Sequence, residues 1–177
     1  VGRGREKRGN LKKFLATLAV GGIVAGIVAA PAVSAATFDG RIEHRCSSTL
    51  SQYSRDGWQY AKFFLCAEKV GSTISFTLSV KSLEYYWGWH WYNNKYRAVL
   101  KGRVVLQRDG RTVDSAAAND NMWGGKGNSL QGANTITASA PGVYKLVAQA
   151  DVTGLYWSSD RDSNIVTEPI TLELVVN

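Results

Sequence analysis

From Phe38 onward the chain alternates apolar and polar positions with a period of two, the pattern of strands that bury one face. Within residues 72–81, Ile74, Phe76, Leu78 and Val80 share one face, and Ser75, Thr77, Ser79 and Lys81 share the other. Residues 96–107 place Tyr96, Ala98, Leu100, Val104 and Leu106 on one side against Arg97, Lys101, Arg103 and Gln107. Asp109-Gly110 predicts a tight hairpin into a strand at 112–117, because such turns need positive φ and glycine supplies it without strain. After Pro141-Gly142, Tyr144, Leu146, Ala148, Ala150 and Val152 alternate with Lys145, Gln149 and Asp151. The chain closes with Ile170, Leu172, Leu174 and Val176 against Thr171, Glu173 and Val175, and shorter strands are predicted at 38–45, 58–66 and 135–139. No segment of this region holds a helical period.

Seven or eight short antiparallel strands separated by turn signals predict an all-β fold, a single β-sandwich over residues 36–177. Within it, Pro141-Gly142-Val143-Tyr144-Lys145-Leu146 resembles the Gly-x-Tyr entry to a late strand of immunoglobulin-like sandwiches. The resemblance covers about ten residues and implies Greek-key architecture, with the Tyr144 hydroxyl tied to nearby backbone. It departs from the immunoglobulin pattern at Leu146, which stands where the second core cysteine would be, and so implies no immunoglobulin function.

The first 35 residues break the alternation and divide as an export signal does. Arg3, Arg5, Lys7, Arg8, Lys12 and Lys13 form a basic start; residues 14–33 form an uncharged apolar run; Val33-Ser34-Ala35 offers small residues to a peptidase. Gly21, Gly22, Gly26 and Pro31 weaken the run as a permanent helical anchor. Cleavage is expected after Ala35, or else Ala36, giving a Sec-type exported, extracellular bacterial protein.

Removing that leader changes the charge reading. The whole chain has 21 Lys plus Arg against 14 acids, a net +7, but five of those net charges belong to residues 1–35. The remainder is close to neutral, which removes the basis for a nucleic-acid partner. Lys95, Arg97, Lys101, Arg103, Arg108 and Arg111 remain as a mildly basic strip, read as a solvated strand face. Export also favours a disulfide between the two cysteines, Cys46 and Cys66, worth about 3 kcal/mol on the chain-entropy model. Two cysteines twenty apart, with no CxxC or HxxxH beside them, make a poor zinc motif, so no metal or cofactor is expected.

Catalytic patterns are sparse. There are two histidines, His44 and His90, and no Gly-x-Ser-x-Gly elbow, phosphate-cradling glycine loop or HExxH. Glu68, Glu84, Asp120 and Asp151 are available to a glycosidase, but alternation leaves most acids on solvated faces. The turn at 160–164 is rich in oxygen ligands yet lacks the glycine and closing glutamate of an EF-hand loop. The expectation is a protein that is not an enzyme.

One segment exceeds what a small sandwich can bury. Residues 85–96 carry eight ring-bearing side chains, counting His90: Tyr85, Tyr86, Trp87, Trp89, His90, Trp91, Tyr92 and Tyr96. If the segment is extended, Trp87, Trp89 and Trp91 project together and Tyr86, His90 and Tyr92 project opposite. Trp and Tyr give flat apolar area with a polar handle and few rotors to freeze, which suits sugars and protein interfaces alike. Trp123, in a polar stretch at 119–132 read as a loop, and Tyr156-Trp157 extend the group. The competing use is a secondary core that caps one end of the sandwich. The expected function is non-catalytic binding of an extracellular glycan or protein, by a monomer or a subunit of a hetero-complex. Alternatives are a part of an exported toxin, inhibitor or surface assembly, a secreted hydrolase, and a β-pore former; short strands with Arg and Lys on their outer faces argue against stable membrane insertion.

Overall fold

The computed structural model describes residues 40–123, 127–154 and 163–177. The expected leader with its cleavage points Ala35 and Ala36, the first two residues of the strand expected at 38–45, Tyr156-Trp157 and most of the 160–164 turn lie outside the described residues.

Two antiparallel sheets form the fold. The first holds β1 (Ile42–Cys46), β2 (Leu50–Tyr53), β3 (Gln59–Val70), β4 (Thr73–Trp87), β5 (His90–Asn93) and β9 (Leu130–Thr137). The second holds β6 (Ala98–Arg108), β7 (Arg111–Ala117), β8 (Asp120–Met122), β10 (Gly142–Thr153), β11 (Ile165–Val166) and β12 (Ile170–Val176). Each sheet is four lanes wide, because short strands share an edge end to end. β1 and β2 both pair with β3, while β9 and β5 pair with successive parts of β4. In the second sheet, β12 and β11 share one edge of β10, and β7 and β8 share one edge of β6.

The predicted alternation places the core. Phe63, Leu65, Ile74, Phe76, Leu78 and Val80 from the first sheet meet Leu100, Val104, Leu106, Leu146, Val152 and Leu174 from the second, all fully or almost fully buried. Every strand expected from alternation is present among the described residues. β2, β5, β8 and β11 are additional, and none is longer than four residues, too short for a period of two to register. The stretch 119–132 is correspondingly less of a loop than its composition implies, since it contains β8 and the start of β9.

Three local features match their sequence signals. Asp109 and Gly110, at φ 52° and 74°, turn β6 into β7 with Arg108 opposite Arg111. The Tyr144 hydroxyl donates to the Ala140 carbonyl at 2.5 Å and accepts from the Ala140 N–H at 3.2 Å. Cys46 and Cys66 are disulfide-bonded, but between facing residues of β1 and β3 in one sheet, on its outer side. Gly102 and Gly132 permit close backbone approach: a Cβ on Gly132 would lie 2.2 Å from the Ala118 backbone, where the chain passes from β7 to β8.

Candidate functional site

The aromatic segment is shaped by a bulge that alternation alone does not reveal. Through the first part of β4 the even-numbered residues face inward, ending at Val80. The β3–β4 register then shifts between Tyr60 and Lys62, and Ser82 takes φ 51°. An extra residue on one strand switches which parity faces the core and re-aims the side chains beyond it. Leu83 is therefore the next buried residue, and Tyr85 and Trp87 continue on its side while Glu84 and Tyr86 turn outward. Asn94 secures the returning strand: its N–H donates to the Leu83 carbonyl at 2.7 Å, and its buried amide bonds both the N–H and the carbonyl of Tyr96.

Beyond the bulge the segment is a hairpin rather than one extended run, which corrects the expectation that Trp87, Trp89 and Trp91 share a face. Trp87 pairs with His90, Tyr86 with Trp91 and Tyr85 with Tyr92. Gly88 and Trp89 form the two-residue turn, at φ 55° and 72°. Residues paired across the ladder share a face, so Tyr85, Trp87, His90 and Tyr92 lie on one side and Tyr86 and Trp91 on the other. Trp89 belongs to neither face. It caps the turn with 87% of its surface exposed, the largest value among the exposed large apolar residues described. A His90 ring nitrogen, Nδ1, meets the Gly88 carbonyl at 3.0 Å.

Tyr86 and Trp91 join an aromatic cluster on the outer face of the first sheet. Their rings lie 5.3 Å apart, Trp91 contacts Tyr53 at 5.8 Å and Tyr60 at 6.1 Å, and Trp58 contacts Tyr86 at 5.7 Å. These rings pack tilted or edge-on, a mutually stabilising arrangement. Tyr53, Trp58 and Tyr60 escape sequence reasoning because only strand register brings them to the hairpin; Tyr53 opposite Tyr60 is the pairing that does so. On the other side Tyr85 stacks on Tyr92 at 5.6 Å and meets Tyr96 at 5.9 Å. The next residue, Arg97, places its guanidinium 4.5 Å from the Trp123 ring, and Trp123 itself is exposed.

A polar knot positions Trp58. The Ser54 carbonyl accepts from the Gly57 N–H, and one Asp56 carboxylate oxygen, Oδ1, accepts from the Ser54 hydroxyl at 2.6 Å and the Trp58 N–H at 3.0 Å. The other oxygen accepts from the Ser163 hydroxyl at 2.6 Å, tying this turn to the residues before β11. Burial works to raise the Asp56 pKa, but the hydrogen bonds from Ser163, Ser54 and Trp58 outweigh it and hold the carboxyl below its ordinary value.

The remaining candidates are dispersed. Glu68 and Glu84 lie on β3 and β4 of the first sheet; Asp120 accepts from the Gln131 N–H at 2.7 Å; Asp151, whose pKa is raised by burial and partly restored by Lys101, lies on β10 of the second sheet. The basic strip is divided too, with Lys101 facing Asp151 across the ladder and Arg108 over the Tyr144 ring. Searches against protein-family models, curated proteins and solved structures each found no match to the chain.

Proposed function

We propose that the chain is an exported, non-catalytic interaction protein that seats the β4–β5 hairpin in an apolar pocket of a partner protein, with Trp89 as its anchor. The observation that carries this reading is a tryptophan at φ 72° that is 87% exposed. A side chain in the left-handed region costs roughly 1–2 kcal/mol relative to the right-handed one, and an exposed indole gains nothing from burial. Both penalties fall on the free protein, and contact with a partner offsets the second. Trp, Tyr and Arg are the residues that most often dominate interface energies. Trp87, Tyr92, Arg97 and Trp123, all exposed, supply that chemistry beside the anchor. A protruding tip suits a pocket better than it suits the flat ring of a sugar. The Greek-key, immunoglobulin-like class is part of the same proposal, supported by two four-lane sheets and the Tyr144 tie.

A glycan ligand is the second reading, favoured by the row of Tyr53, Trp58 and Trp91 across the outer face, each between 40% and 53% exposed. The two separate by mutation. Co-purification from culture medium on tagged wild type is expected to recover one partner chain in stoichiometric amount. Trp89→Asn should lose it while melting at an equal or higher temperature. Undiminished recovery on Trp89→Asn contradicts the anchor. Retardation in polysaccharide gels that Trp58→Ala abolishes moves the function to the outer face.

A further inference from the structure

A second chemically active group lies on the same outer face, toward the edge strand. β1 and β3 pair with His44 opposite Glu68 and Cys46 opposite Cys66. Residues two apart on a strand share a face, as do residues directly paired, so these four form a two-by-two block. The imidazole and both sulfurs have ligand atoms within 4.8 Å of one another. His44 and Cys46 are exposed, and β1 adds no buried side chain to the core. Spacing along the chain argues against a metal motif here; register brings in His44 as the third ligand that spacing lacks and sets the exposed Glu68 directly opposite it.

We propose that this block is a thiol-gated site for a thiophilic divalent cation of the zinc class, closed while the disulfide stands and opened by its reduction. A dithiol reductant would transfer two electrons and two protons to the sulfurs. The Cys46–Cys66 bond breaks and the reductant's own disulfide forms. Both thiols then release their protons as the thiolates ligate the ion, a neutral His44 nitrogen gives the third bond and the Glu68 carboxylate the fourth. Two thiolates, one imidazole and one carboxylate match zinc's preferred donors. Zinc–sulfur bonds of about 2.3 Å in a tetrahedron set the sulfurs roughly 3.8 Å apart. The Cα atoms of Cys46 and Cys66 lie 4.0 Å apart, so near-parallel side chains meet that spacing. Lys62 and Lys81 line a shallow depression with Cys46. Two thiolates with one carboxylate outweigh those two lysines and leave the site attractive to a dication. The ion would then hold β1 to β3 as the disulfide does.

The test uses the full chain and Co2+ as the probe. A phosphine reduces the protein, taking oxygen from water while the two water protons go to the sulfurs, and excess reagent is removed without air. Reduced wild type is expected to bind one Co2+ per chain with thiolate charge-transfer absorption that Zn2+ abolishes, and the oxidised protein to show none. His44→Ala should weaken binding at least tenfold, Glu68→Gln should weaken it less, and Cys66→Ser should remove most of the charge-transfer band. No such band in reduced wild type overturns the proposal, as does His44→Ala binding as tightly as wild type. Loss of the strand signal in circular dichroism on reduction, not restored by Co2+, overturns it equally.

Discussion

Two hairpins of this molecule have the same turn geometry and opposite chemistry. β6 and β7 are joined by Asp109 and Gly110 at φ 52° and 74°, and β4 and β5 by Gly88 and Trp89 at φ 55° and 72°. Both turns require positive φ at two successive residues, which Asp-Gly satisfies well. Gly-Trp satisfies it at one position and strains it at the other. The first turn holds residues that such a turn prefers. The second carries a bulky ring where folding would place Asn or Gly, and presents that ring to solvent. Under the proposed function, this mismatch between local sequence and backbone is the mark of a residue kept for its partner rather than for stability.

The largest effect should be on association. Trp89→Ala is expected to weaken partner binding by about 2 kcal/mol or more, some thirtyfold, with the fold intact; calorimetric titration against the co-purified partner measures it. Trp91→Ala should act mainly on stability, lowering it by about 2 kcal/mol in urea denaturation, because its ring packs on Tyr53, Tyr60 and Tyr86 while staying 40% exposed. Equal behaviour of these two variants would erase the distinction between anchor and cluster. Rewriting the other turn to resemble the hairpin, by Gly110→Trp, should cost about 1–2 kcal/mol in the same assay. The reverse exchange, Trp89→Asn, should raise stability by about 0.5–1 kcal/mol; a loss would show that the indole is held by its own fold. The smallest effect is with pH. Asp56 has a folded pKa below its ordinary 3.8, so its stabilising contribution is complete above that value and fades as pH falls through the lower folded one. Asp56→Asn should flatten that acid limb of the stability curve in denaturation series between pH ~2 and ~6, and should loosen Trp58, read by its fluorescence.

Long strands were legible because burial of one face imposes a period of two over enough residues to see. β3, β6, β10 and β12 carry that pattern for seven to twelve residues each, and β4 carries it from Thr73 to Val80. The hairpin at Asp109-Gly110 was legible because turn stereochemistry is local. The turn at Gly88-Trp89 was hidden by the same rule, since its residues are not those such a turn prefers. The aromatic richness of 85–96 was plain from composition, but its division into two faces and a tip was not, because one extra residue at Ser82 reverses the parity of everything beyond it. Tyr53, Trp58 and Tyr60 join the site only through pairing between β2, β3 and β4, an arrangement no single segment encodes.

By itself the sequence determined an all-β chain, its principal strands, the pairing of its two cysteines and the segment with more aromatic surface than a core can take. These follow from periodicity, local stereochemistry and counting, which need no knowledge of neighbours. Tertiary structure alone decided which rings face which way, that Trp89 stands at a tip, and that Cys46 and Cys66 sit beside His44 and Glu68 on an outer face. Those are matters of register between segments distant in the chain, and register is set by the packing of the whole sheet rather than by the residues that it brings together.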